Sequence, residues 1–231
     1  MNTSGGGHVA WGQSVIRGSR MSTFVNYYLS VLFCFILDAS PSMDDKVGKS
    51  GKNITKFRAV QEAVNSAMDV LNSFKNRDKC IVCVTLFGGA AWVAKKQAAP
   101  SEVRSMNYTL ARTKGILKHW GTAIGDGIRL GAKTMEEVRA NLKQPVKPEG
   151  AFFVLSDGEE NMDSDPLGAA EELKSKGHLI FPIAFGKSAD RELLRKMASK
   201  PEWFGEANDL TSLIKVFDCA TQVASRTLGV Q

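Results

Sequence analysis

The sequence is poor in the residues that most often carry catalysis. Histidine occurs only as His8, His119 and His178, and no serine or cysteine stands in a pattern that pairs it with a base, which argues against nucleophilic catalysis. Cysteine occurs four times, as Cys34, Cys80, Cys83 and Cys219. Cys80 and Cys83 have C-x-x-C spacing, but they lie in a run to Phe87 that reads as a strand. Side chains three apart on a strand face opposite sides, which argues against a shared metal or a disulfide between them. Reduced, buried cysteines fit a cytoplasmic protein. No stretch is long and apolar enough to cross a bilayer. The formal charge is +6, yet no dense Lys/Arg block marks a nucleic-acid surface. Nucleotide loops are missing too. Gly48-Lys49-Ser50 has Met43 where a phosphate loop needs glycine, and Gly125, Gly127 and Gly131 miss the dinucleotide spacing by one residue.

What is present is ordinary globular material, 43% hydrophobic and 23% charged over 231 residues, enough for one domain with a substantial core. The most informative stretch is Val31 to Met43. Seven apolar residues end in Asp38, and hydroxyls follow at Ser40 and Ser42. A short unbroken run of β-branched and aromatic residues is the pattern of a strand buried on both faces of a parallel sheet. Ligands of open α/β sheets bind at the loops leaving such strands. Oxygen donors spaced by two suit a hard divalent cation. Arg17 and Arg20 before the apolar run from Phe24 imitate a signal segment over residues 17–39, which would make the protein exported. Asn26 and Ser30 interrupt the run, and cleavage after Ala39 would leave Leu37 at the −3 position, so the strand reading is preferred. The Gly-rich residues 1–27 read as a disordered arm, with Met21 an alternative start.

Along the chain, strand and helix signals alternate. Thr55 caps a helix whose apolar face runs from Phe57 to Phe74. A strand from Ile81 to Phe87 then turns at Gly88-Gly89 into an antiparallel edge strand near Trp92. Residues 101–114 are weakly helical. Trp120-Gly-Thr-Ala-Ile-Gly-Asp-Gly127 reads as a tight loop entering a helix, where Thr122 is either a helix cap or a ligand. Ala151 to Leu155 is a second buried strand, again ending at a carboxylate, Asp157. Asp165-Pro166 opens a helix that Gly177 closes. Leu179 to Phe185 is a strand marred by Pro182. Ser188 is expected to cap the helix carrying Leu193, Leu194 and Met197. Trp203-Phe204 suggests a short last strand, and a helix from Leu210 to Ala220 follows. The sum is an α/β fold, doubly wound and Rossmann-like, with a mostly parallel sheet, one antiparallel edge strand and helices on both faces.

If the strands ending at Asp38 and Asp157 are sheet neighbours, Asp38, Ser40, Ser42, Thr122 and Asp157 converge on one crevice. With Asp38-Ala-Ser40-Pro-Ser42, Gly121-Thr122 and Ser156-Asp157-Gly158, the sequence resembles the von Willebrand factor A domain and its metal-ion-dependent adhesion site over residues 28–226, leaving 227–231 as a tail. Among relatives it looks similar to the small stand-alone bacterial domains of tellurite-resistance and stress gene clusters. Pro41 and the basic insert Lys46–Lys52 depart from the family pattern. The resemblance implies that Ser40, Ser42 and Thr122 contact Mg²⁺ or Mn²⁺, with Ca²⁺ less suited, and that Asp38 and Asp157 act through waters. It further implies that a Glu or Asp of a protein partner completes the coordination, with neither nucleic acid nor membrane as the partner. The expectation is a non-enzymatic, metal-dependent binding module. The alternative is a Mg²⁺-dependent phosphatase or phosphotransferase using Asp38, but Ser40 stands where such sites need a second carboxylate. Asp44, Asp45, Glu159, Glu160 and Asp163 read as a solvated acidic rim.

Overall fold

The computed structural model describes residues 29–47, 54–113, 115 and 120–230. The arm assigned to residues 1–27, the Gly48–Ser50 segment, His8 and His119 lie outside them. Strand β1 (Ser30–Asp38) is central, and every one of its residues is buried. A two-residue ribbon, β2 (Lys46–Val47) with β3 (Ile54–Thr55), precedes helix α1 (Lys56–Ser73). Then come β4 (Cys80–Phe87), β5 (Ala91–Ala98) and the short helices α2 (Pro100–Arg104) and α3 (Tyr108–Thr113). Helix α4 (Ile124–Asn141), β6 (Val146–Ser156), α5 (Pro166–Ser175) and β7 (Leu179–Phe185) follow. The described chain ends with α6 (Arg191–Met197), β8 (Gly205–Ala207) and α7 (Leu210–Leu228).

The sheet order is β5-β4-β1-β6-β7-β8, and only the β4–β5 pair is antiparallel, at one edge. The chain leaves β1 toward β4 on one side and later returns to β6 on the other. That reversal opens a crevice at the carboxyl ends of β1 and β6, the place where doubly wound sheets take ligands. Period-two alternation explains how β1 serves two cores. Val31, Phe33, Phe35 and Leu37 pack on the face covered by α1 and α7, whereas Leu32, Cys34 and Ile36 pack under α4. Cys80 and Cys83 fall on opposite faces, as strand geometry requires, and both are free. In-register neighbours Phe35, Phe153 and Phe181 stack at 4.6 and 5.4 Å, and Trp203 extends the stack at 4.7 Å. Each such pair adds roughly 0.5–1.5 kcal/mol beyond its burial, locking the register of β1, β6 and β7.

Several local expectations need correcting. Pro182 stands in a strand flanked on both sides, but β8 begins to pair only at Ile183, so at Pro182 the strand has a single neighbour, β6. The cap of α6 is Asp190, whose side chain accepts from the Leu193 amide; Ser188 lies too far upstream of the helix. The last strand is 205–207, because Trp203 closes a 3₁₀ turn begun by Pro201. No helix of the described residues is long and apolar enough to cross a membrane.

Candidate metal centre

The crevice collects the oxygen atoms singled out in the sequence. Asp38, the last residue of β1, is fully buried. Its Oδ1 accepts the Ser40 amide at 2.8 Å and its Oδ2 accepts the Ser156 hydroxyl at 2.8 Å. The loop thus folds back over the carboxylate that starts it. Pro41 suits the first position of the 3₁₀ turn Pro41–Asp44, since its fixed φ is helical and it has no amide to satisfy. That turn carries Ser42 across to β6. The Ser40 and Ser42 hydroxyls lie 2.9 Å apart, and Ser42 Oγ donates to Asp157 Oδ1 at 2.7 Å. Asp157 is fully buried as well. Arg112 of α3 clamps the loop from outside, donating to the Ala39 and Ser40 carbonyls and to Asp44.

Thr122 arrives on a separate segment. It does not cap α4, whose cap position is Ala123 and offers no side-chain acceptor. The Ala123 amide is tied to the Gly88 carbonyl at 2.7 Å, and the Thr122 amide donates to Asn161 Oδ1 at 2.7 Å. The Asn161 amide returns to the Thr122 carbonyl at 3.3 Å. Gly158 is the residue next to Asp157, and a Cβ placed there would lie 3.7 Å from Thr122 Oγ1. The hydroxyl therefore faces the Asp157 turn. Gly121 needs its glycine, with φ near 100° and the Met162 side chain directly above it.

Two residues the sequence reading passed over complete the site. Glu160 is no solvated rim residue. Its Oε2 accepts the Ile124 amide at 2.7 Å and the Ser164 hydroxyl at 2.9 Å, while Oε1 accepts the Met162 amide at 2.9 Å. It supplies the helix cap that Ala123 cannot, and it joins the Thr122 loop to the Asp157 loop. Lys56 is the second. Its Nζ donates to Asp157 Oδ2 at 2.6 Å and to Asp45 Oδ2 at 3.3 Å, with only 9% of the side chain exposed. The signal for Lys56 was faint: a lysine directly after a helix cap. For Glu160 it was an acid upstream of Asp165, indistinguishable from surface. Asp44 and Asp45 are likewise engaged, with Arg112 and Lys56.

Burial pushes the Asp38 carboxyl up to about 6, and repulsion from Asp157 adds to it, against the hydrogen bonds from Ser40 and Ser156. Two neighbouring buried carboxylates are costly unless positive charge reaches them. The donor set is three hydroxyls and two carboxylates, all hard oxygens. Among the described residues no group of three or more His, Cys, Asp or Glu is placed to hold a metal. Residues and electrostatics fit a hard divalent cation. Beside the crevice, Trp120 is 80% exposed and Met162 46% exposed, an apolar rim.

A doubly wound sheet with its oxygen-rich crevice at the β1/β6 switch defines a Rossmann-like binding domain. The model of the von Willebrand factor type A domain matches residues 33–218, and the chain belongs to that family. No curated protein matches the chain by sequence. Among solved structures, proximal thread matrix protein 1 from the mussel byssus is similar at 21% identity and TM-score 0.65, over 86% of this chain and 47% of that one. The chain thus spans about half the length of that protein. Another structure of the same byssus protein, at 20% identity and TM-score 0.61 over 86% of this chain and 46% of that one, is described with a zinc-occupied adhesion-site motif. BatB from Bacteroides thetaiotaomicron is similar at 16% identity and TM-score 0.65, over 85% of this chain and all of that one. The corresponding domain of the pilus tip protein Mfa5 from Porphyromonas gingivalis aligns at 10% identity and TM-score 0.64, over 88% and 97%.

Proposed function

We propose that this chain is a metal-dependent protein-binding module whose adhesion site is formed by Asp38, Ser40, Ser42, Thr122 and Asp157. The observation that carries the reading is the convergence of these side chains on one crevice, with two buried carboxylates sharing it. A bound divalent cation, Mg²⁺ or Mn²⁺, supplies a Lewis-acid position for an anionic ligand oxygen. Ser40, Ser42 and Thr122 offer neutral hydroxyls, which leave positive charge for that ligand. Asp38 holds the serine loop in place through the Ser40 amide, and Asp157 orients Ser42. A Glu or Asp side chain of a protein partner is the ligand this arrangement suits. Exposed Trp120 and Met162 give the partner apolar contact beside the acid, in residue types favoured at interface cores. The zinc-occupied site of the byssus protein and the corresponding domain of the pilus tip protein Mfa5 support the reading by analogy.

The phosphatase alternative asks Asp38 to attack a phosphate. Its full burial and the engagement of both its oxygens argue against that role. Titration with Mg²⁺ and Mn²⁺ tests the proposal. The parent domain is expected to bind, and Asp38→Ala is expected to remain folded and lose binding. A parent that binds neither ion, or an Asp38→Ala variant that titrates like the parent, refutes the site.

A further inference from the structure

Lys56 sits where a lysine is hard to account for by stability alone. It is the first residue of an 18-residue helix, where the helix dipole opposes a cation, and no acid stands in the first turn to offset it. The side chain is nearly buried, which costs further free energy. Surface lysines at helix starts normally turn outward to solvent; this one turns inward. Its stem passes Gly186, whose φ near 84° favours glycine and where a Cβ would make ordinary contact with Lys56 Cε at 3.5 Å. The ammonium ends on Asp157 Oδ2, while the other oxygen of Asp157 takes the Ser42 hydroxyl. Asp45, more exposed, is its weaker second partner.

We propose that Lys56 is an internal counter-cation of the metal centre, one that sets how tightly the site holds a divalent ion and keeps the loaded site positive. The inference rests on the metal-site reading given above. Without Lys56, Asp38 and Asp157 together would fully neutralise a divalent charge. With it, the cation, Asp38, Asp157 and Lys56 together carry one net positive charge, offset only in part by the more exposed and solvent-screened Asp45, which favours an anionic ligand. The same ammonium weakens metal binding by repulsion, and in the metal-free protein it compensates Asp157. Two like-signed charges a few ångströms apart in a partly solvated crevice shift a binding constant on the order of tenfold. Lys56 is therefore a positioning and affinity-setting residue rather than a ligand.

The test is Mn²⁺ binding followed by loss of the free-ion electron paramagnetic resonance signal, with thermal melting of the same samples in chelator and in Mn²⁺. Lys56→Met is expected to bind Mn²⁺ about tenfold tighter than the parent, to melt lower than the parent in chelator, and to gain more from Mn²⁺. Lys56→Arg, which keeps the charge, is expected to stay within about threefold of the parent. If Lys56→Met fails to fold in chelator, Lys56→Gln carries the same expectation for Mn²⁺ affinity. Binding by Lys56→Met and Lys56→Gln that is unchanged or weaker than that of a metal-binding parent overturns the inference and leaves the metal site standing. Absence of Mn²⁺ binding by the parent and all variants overturns both.

Discussion

Replacing Glu160 by alanine removes the carboxylate that ties the two halves of the crevice together. In the native domain that carboxylate accepts from the Ile124 amide at 2.7 Å, the Ser164 hydroxyl at 2.9 Å, the Met162 amide at 2.9 Å and the Ser164 amide at 3.4 Å. The Ile124 amide is one of the orphan donors at the start of α4, and Ala123 has no side chain to accept it. A hydrogen bond to a charged group contributes roughly 1.5–3 kcal/mol, and a carboxylate at a helix N-terminus adds a few tenths to 1 kcal/mol. Bonds converging on one group do not add, and water reaches the exposed loop donors once the carboxylate is gone. A loss of about 3 kcal/mol follows, dominated by the Ile124 amide. For a domain of this size that lowers the melting temperature by about 6–12 °C. Glu160→Gln is expected to recover little, because both native oxygens accept and the amide nitrogen of glutamine presents donors to donors. Thermal denaturation by circular dichroism in chelator reads the effect free of any metal contribution. A Glu160→Ala variant melting within about 1 °C of the parent would show that Glu160 is only rim after all.

Two further perturbations probe the frame of the domain. His178 takes the Gly150 amide on its unprotonated Nδ1 at 3.0 Å, and burial, reinforced by Arg139 and Lys176, pushes its pKa down to about 4 from an ordinary 6.5. The folded protein thus stays neutral at His178 where the unfolded chain takes up a proton, so stability falls as pH drops from 6.5 toward 4. The loss is at most about 3 kcal/mol and nearer about 2 after solvent screening. Melting curves of His178→Asn should be flatter than those of the parent across that window, and parallel curves refute the assignment. Gly125→Ala inverts the usual preference of helices for alanine. A Cβ there would fall 1.9 Å from the Ser164 carbonyl oxygen, a backbone atom with little freedom to retreat. About 3 kcal/mol of destabilisation is expected by chemical denaturation, and a neutral or stabilised variant would contradict the close packing of α4 on the Ser164 turn.

The alternation of strand and helix, the two-faced burial of β1 and the five oxygen-bearing residues were legible in the chain because each is a local pattern. Seven apolar residues ending in Asp38 read as a strand buried on both sides, and the order of Ser40, Ser42, Thr122 and Asp157 behind it points to a family. The antiparallel edge was legible at Gly88-Gly89 for the same reason. Pairing across the sheet decided the rest. Pro182 is harmless only because β8 starts one residue later, and Thr122 is freed from capping because Glu160, 36 residues beyond Ile124 along the chain, accepts the Ile124 amide. The acids around the site read as a uniform solvated run, since sequence carries charge but not direction. Tertiary structure gives three of them different partners: Asp44 meets Arg112, Asp45 meets Lys56, and Glu160 meets the start of α4. Lys56 shows the limit most plainly. Its position after Thr55 fixes it at a helix start, but only the packing of α1 on the sheet brings Asp157, just past the end of β6, within 2.6 Å of its ammonium. Local chemistry in the sequence selected the candidate ligands, and the long-range packing of α1 and the 158–164 loop around them decided the charge and rigidity of the crevice they share.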